Sequence, residues 1–135
     1  DTPNEIYEDP NNIFVAEFIG TPKMNIIKID KNNIKNNNVV KLFKNEIKFE
    51  NFKFNDDIYL GIRPEDISLK HDGEIKLDIK IDLIENLGFE KIIYSSISNK
   101  ELRIKTSDNI SKETNKISFS KSKVFLFDKN KNRIR

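Results

Sequence analysis

From Glu74 to Glu85 the chain reads EIKLDIKIDLIE, and this run constrains the fold more than any other. Ile75, Leu77, Ile79, Ile81 and Leu83 alternate with Lys76, Asp78, Lys80 and Asp82. Successive side chains of a strand point to opposite faces, so a strict period of two predicts one long strand with an apolar face and a solvated face. EIKFENFKF (Glu46 to Phe54) repeats the pattern, with Ile47 and Phe49 on one face. A slip near Asn51, read as a bulge, precedes Phe52 and Phe54. Shorter strands are predicted at 25–30, 39–43, 58–63, 91–97, 101–106, 116–119 and 124–127. Turn-forming clusters separate them at 31–33, 36–38, 55–56, 71–73, 86–88 and 98–100. Many short strands at this spacing predict a mainly β body of barrel or sandwich type, one domain over 23–135.

The chain opens differently. Thr2 is placed to cap a turn with Pro3 at its first position, and Pro10 interrupts that first helical segment. From Asn11 or Asn12, the residues Ile13, Phe14, Ala16, Phe18 and Ile19 predict a second short helix that Gly20 and Pro22 end. Two helices this short are marginal alone. Phe14, Val15, Phe18 and Ile19 are therefore expected to pack on another body, and residues 1–22 are read as a lead-in.

Composition removes several chemistries. Charged residues make up 34% of the 135 and hydrophobic ones 36%, which describes a globular chain with a very polar exterior. There is no Cys, hence no disulfide framework and no thiolate site. No apolar run approaches the roughly 18 residues of a membrane-spanning helix. The charge of +2 arises from 24 basic and 22 acidic residues interleaved along the chain, a solvated surface rather than a nucleic-acid footprint. Gly20, Gly61, Gly73 and Gly88 lie too far apart for a phosphate loop or dinucleotide fingerprint. His71 stands alone in a turn, and the Ser residues near 95–96 and 118–122 have no neighbouring base pattern. Asp56-Asp57 and Glu65-Asp66 read as solvated turn carboxylates. No catalytic residue, metal site or bound cofactor is expected in this chain.

The stretch YLGIRPEDI (Tyr59 to Ile67) is the most informative interior segment. Tyr59, Leu60 and Ile62 end a strand, Gly61 permits a close backbone approach, and Pro64 stops further pairing. Glu65 and Asp66 complement the amide groups that the turn exposes. Gly61, Arg63, Pro64 and Glu65 are read as architecture at a turn.

Two stretches in this order, TPNEIYEDPNNIFVAEFIGTPKMN (Thr2 to Asn25) and LGIRPEDI (Leu60 to Ile67), closely resemble the C-terminal part of MalK/UgpC-type carbohydrate-importer ABC transporter ATP-binding subunits. DLIENLGFEKIIY (Asp82 to Tyr94) and VFLFDKNKNRI (Val124 to Ile134) are similar to later strands of that family. The resemblance implies an OB-fold-like regulatory (TOBE) β-barrel over 23–135, with short N-terminal helices left from a preceding ATPase domain. It implies a regulatory and dimerisation role in an importer of sugars or glycerol-3-phosphate. The implied partners are the subunit's own ATPase domain, a second copy and, indirectly, the membrane subunits. The implied location is cytoplasmic, at the inner face of the cell membrane. ATP and Mg would belong to the ATPase domain, since none of the family's nucleotide motifs lies within these 135 residues.

A free-standing OB-type module for single-stranded nucleic acid or an oligosaccharide is the alternative. It would use Phe49, Phe52, Phe54 and Tyr59 as stacking platforms beside Lys44, Lys48 and Lys53. A small-anion sensor like the molybdate-binding relatives of this barrel is a third class, to which no residue set points.

Overall fold

A computed structural model describes residues 10–13 and 22–135. The expected N-terminal helices, with Phe14, Val15, Phe18 and Ile19, lie outside the described residues. Twelve strands are described. They are β1 (Asn25–Ile29), β2 (Ile34–Lys35), β3 (Val39–Leu42), β4 (Asn45–Lys48), β5 (Ile58–Ile62), β6 (Ile75–Asp78), β7 (Lys80–Asn86), β8 (Lys91–Ile97), β9 (Lys100–Thr106), β10 (Lys116–Phe119), β11 (Phe125–Phe127) and β12 (Arg133–Ile134). The described helical elements are three 3-10 turns, Lys31–Asn33, Pro64–Asp66 and Lys121–Lys123, and Ile13 also has helical backbone. The protein is mainly β.

The expected closed barrel is corrected. Among the described residues the strands form four open sheets, ordered β1-β5-β11-β12, β2-β3-β4, β6-β10 and β7-β8-β9. Closure requires every strand to find two neighbours. The run from Glu74 to Glu85 breaks at Ile79, whose N–H bonds the Asn115 carbonyl at 2.8 Å. Its first half pairs with β10 and its second with β8. The register then shifts between Ile81 and Leu83. One extra residue in a ladder reverses which face the following side chains take. Ile75, Leu77, Ile79 and Ile81 are buried as the alternation predicts, whereas Leu83 is 54% exposed.

The segment Glu46 to Phe54 is corrected too. Only Asn45–Lys48 is strand; Phe49 donates its N–H to the Asn38 carbonyl at 2.8 Å, and Phe52 closes a turn back onto Phe49 at 3.2 Å. The three Phe rings compensate by packing together. Phe49 lies edge-on to Phe52 and Phe54 at 6.3 and 6.0 Å, and Phe52 stacks on Phe54 at 5.8 Å. By contrast, β8, β9 and β10 lie where the period-two reading puts them, within a residue. Ser98 and Asn99, both at positive φ, make the two-residue β8–β9 turn whose twist suits a hairpin.

Contacts divide the described chain into two compact units. One contains Ile26–Gly61 and Val124–Arg135, and its core includes Val40, Leu42, Ile47, Phe49, Phe54, Leu60 and Phe127. Residues 11–13 belong to it. Asn12 bridges Asn132, Arg133 N–H reaches the Asn11 carbonyl at 2.7 Å, and the Arg133 guanidinium lies 4.5 Å from the Phe125 ring centroid. The other unit contains Pro22–Asn25 and Ile62–Lys123, with Ile62, Ile93, Leu102, Ile104, Ile117 and Phe119 in its core.

Asn25 is a buried polar residue of that second unit. It is 1% exposed. Its carboxamide donates to the Arg103 carbonyl and accepts from the Arg103 N–H, each at 2.8 Å, so one side chain does for β9 what a neighbouring strand would do. Replacing it with Ala orphans one donor and one acceptor, each worth about 1–3 kcal/mol. We expect Asn25→Ala to lower unfolding stability by about 2–4 kcal/mol, read as a fall in urea midpoint at unchanged slope. Gly73 supplies a second check. A Cβ there would lie 2.9 Å from the Phe119 carbonyl oxygen and 3.0 Å from its backbone N, so Gly73→Ala should cost about 1–3 kcal/mol in the same assay.

Candidate functional site

The residues of LGIRPEDI occupy the passage out of β5. Gly61 is buried and pairs with Phe125 of β11. Arg63 holds extended backbone (φ −72°, ψ 143°) at the entry to the 3-10 turn, and buried Pro64 takes its first position. Asp66 N–H donates to the Arg63 carbonyl at 3.0 Å. Proline suits this position because its fixed φ is already that of the turn and no N–H is lost from a ladder. Glu65 and Asp66 sit in the first turn, and the segment packs on β9. Gly61 thus lies in β5, Arg63 at the entry to the turn and Pro64 and Glu65 within it, with Glu65 exposed and Arg63 half-buried.

Other candidates are occupied by structural bonds. Asp57 accepts the Lys31 N–H at 2.8 Å, and Asp56 accepts the Asp57 N–H at 2.8 Å and the Lys129 ammonium at 2.9 Å. The Lys129 hydrogen bond holds the Asp56 carboxyl below its ordinary range, with the Asp57 N–H adding to it. His71 is half-buried rather than exposed in its turn, with Nε2 donating to the Leu77 carbonyl at 3.1 Å. Phe49 and Phe54 are buried and Tyr59 lies under the Lys131 ammonium, 5.9 Å from its ring centroid, so these rings do not line up as a stacking platform. Among the described residues no group of three His, Cys, Asp or Glu converges on a metal position, and no helix is long and apolar enough to cross a membrane.

Ser118 is fully buried. Its hydroxyl accepts the Gly73 N–H at 2.8 Å, and its single proton is shared between two acceptors, the Lys70 carbonyl and Asp72 Oδ1, the latter at 3.1 Å. Its backbone exchanges bonds of 2.7 and 2.9 Å with Ser68. A hydroxyl this engaged pins the 68–73 loop and is no nucleophile. Hydrogen bonds from Ser68 and then Ser118 hold the exposed Asp72 carboxyl below its ordinary value of 3.8. A depressed carboxylate stabilises the fold above that ordinary value and loses the contribution as pH falls through the depressed one. Ser118→Ala should therefore raise the Asp72 pKa, read from its side-chain carbonyl resonance against pH; an unmoved titration would contradict the assignment.

The surface best suited to contact a partner is the β7–β8 hairpin, which the sequence reading passed over. Leu87 N–H closes the tip on the Glu90 carbonyl at 2.8 Å, Asn86 Oδ1 accepts the Gly88 N–H at 3.0 Å, and Gly88 stands at φ +94°, which a glycine adopts without strain. The tip therefore presents Leu87 (57% exposed) and Phe89 (95%), and the register shift in β7 adds Leu83 from the flank. They are the large apolar side chains most exposed among the described residues. Lys105 of β9 and Glu90, next to Phe89 in the chain, form an ion pair at 3.4 Å. Clustered exposed apolar residues with a charged rim mark contact surfaces. The available signal was an apolar pair flanking a glycine, NLGFE, inside a hairpin turn.

Comparison with known proteins shows the family to which this mainly β chain belongs. The chain belongs to the ABC importer ATP-binding subunits of the UgpC and MalK type, matching their C-terminal part. It is 33% identical over 135 residues to the sn-glycerol-3-phosphate import ATP-binding protein UgpC of Jannaschia sp., covering 98% of this chain and 37% of the relative. It is 37% identical over 103 residues to the maltose/maltodextrin import ATP-binding protein MalK of Aliivibrio fischeri, covering 72% and 28%. The sulfoquinovosyl glycerol transport ATP-binding protein SmoE of Agrobacterium fabrum matches at 26% identity over 94% of this chain and 37% of its own. The chain thus spans about a third of the length of the curated relatives it matches. No family model matches it.

Proposed function

We propose that this chain is the regulatory and dimerisation domain of the ATP-binding subunit of an ABC importer for sugars or glycerol-3-phosphate. The observation that carries the proposal is the match along 98% of the chain to the glycerol-3-phosphate subunit at 33% identity. The mainly β architecture fits a domain of OB (TOBE) type, and the hairpin supplies a contact surface. On this reading the ATP and Mg chemistry is performed by the subunit's ATPase domain, and the chain works in the cytoplasm at the inner face of the membrane. Its partners are that ATPase domain, a second copy of the subunit and, indirectly, the membrane subunits.

The physical role rests on the exposed hairpin surface. Burying Leu83, Leu87 and Phe89 against a second copy removes apolar area from water without disturbing either core, so the contact can persist while the ATP sites open and close. Phe89→Glu places a charge at the most exposed position. It should leave folding stability within about 0.5 kcal/mol, because no buried contact is lost. It should weaken self-association of the intact ATP-binding subunit by about tenfold or more, measured by sedimentation. Unchanged association would contradict the dimerising role of the hairpin. Intact association in a subunit lacking residues 22–135 would contradict that of the whole domain.

A further inference from the structure

A cleft lies between the β2–β3 turn and the segment after β4, within the first compact unit. Residues 36–38 and 50–53 line it, and it is open to solvent, with a volume of about 500 Å³. Its two walls are joined by backbone. Phe54 N–H donates to the Asn37 carbonyl at 2.7 Å and Phe49 N–H to the Asn38 carbonyl at 2.8 Å. Asn36 and Asn37 stand at φ 54° and 64°, the left-handed region that asparagine tolerates better than most residues. The turn shape is therefore set before any ligand arrives.

The lining is polar and rich in carboxamides. Asn36, Asn37, Asn38 and Asn51 bring four carboxamides, each with an acceptor oxygen and a two-hydrogen donor. Among the described residues no hydrogen bond engages any of these four side chains. Glu50 and Lys53 contribute one charge of each sign, so the cleft carries no net charge to attract an ion. The half-exposed Phe52 ring, stacked on Phe54, supplies an apolar floor. Carboxamide donors and acceptors lining the same cleft as an aromatic ring match a ligand with adjacent hydroxyls on an apolar carbon frame.

We propose that this cleft binds a neutral saccharide of one or two rings, with the carboxamides of Asn37 and Asn51 pairing its hydroxyls and Phe52 lying along its C–H face. Phosphorylated sugars and free anions are disfavoured by Glu50, and cations by Lys53. Open carboxamides exchange water for ligand at small net gain, so the affinity is modest, with a Kd of about 1–10 mM. The proposal requires nothing of the regulatory role above, and its failure would leave that role standing.

The test is a titration of the 135-residue chain with maltose, followed by amide NMR shifts, with sodium phosphate as the charged comparison. We expect saturable shifts at residues 36–38 and 50–53 with maltose and none there with phosphate. Asn51→Ala, at an exposed position, and Asn37→Asp, which keeps a residue tolerant of positive φ, should leave the remaining spectrum in place. At least one should weaken maltose by about fivefold or more. Three results would each overturn the proposal: no saturable shift at these amides by about 100 mM maltose, phosphate binding there in preference, or both variants binding as the parent does.

Discussion

The break at Ile79 is the constraint on which the second unit depends. A run from Glu74 to Glu85 that obeys a period of two for its whole length could serve a single sheet. Here it serves two, because Ile79 gives its N–H to Asn115 and the pairing partner changes from β10 to β8. The residues before the break bury Ile75 and Leu77. Those after the register shift turn Leu83 to solvent and carry the hairpin tip beyond it. One backbone hydrogen bond and one bulge thereby convert an ordinary amphipathic strand into a core strand and a presenting strand.

Polar groups do the rest of the positioning. Asn25 satisfies both backbone groups of Arg103, and Ser118 gathers Gly73, Lys70 and Asp72 around one hydroxyl. Such groups are costly to bury unless their bonds are made, so each specifies one arrangement of the segments it joins. In the first unit the corresponding role falls to the backbone bonds from Phe49 and Phe54 to the Asn turn, and to Arg133 packed over Phe125.

β8 and β10 were legible in the sequence within a residue as short apolar runs set off by turn-forming residues, although Ile92 and Ile93, and Ile117 to Phe119, are buried in succession rather than on one face. The Ser98-Asn99 turn was legible for a similar local reason. The end of β4 was not. Phe52 and Phe54 resume a period of two after a slip, but the three rings pack on one another rather than along a sheet face, and the backbone of Phe49 and Phe54 is held by Asn38 and Asn37, which lie more than ten residues earlier. Leu83 was misplaced since a bulge leaves no mark in an alternating string. The Gly61 to Glu65 turn was readable from Pro64 and the acidic pair after it. The turn at 86–88 was read from the sequence, but the exposure of Leu87 and Phe89 on it was not, since a turn signal does not say what packs against the turn.

The central claim is that these 135 residues are one working part of a larger ATP-binding subunit. The most direct measurement is the mass of the native gene product, detected with an antibody to this domain, together with the reading frame upstream of Asp1. The account predicts a product far heavier than 15.8 kDa, with a GxxxxGK[ST] phosphate loop encoded upstream. A native product near 15.8 kDa, with its start codon immediately before Asp1, would contradict it.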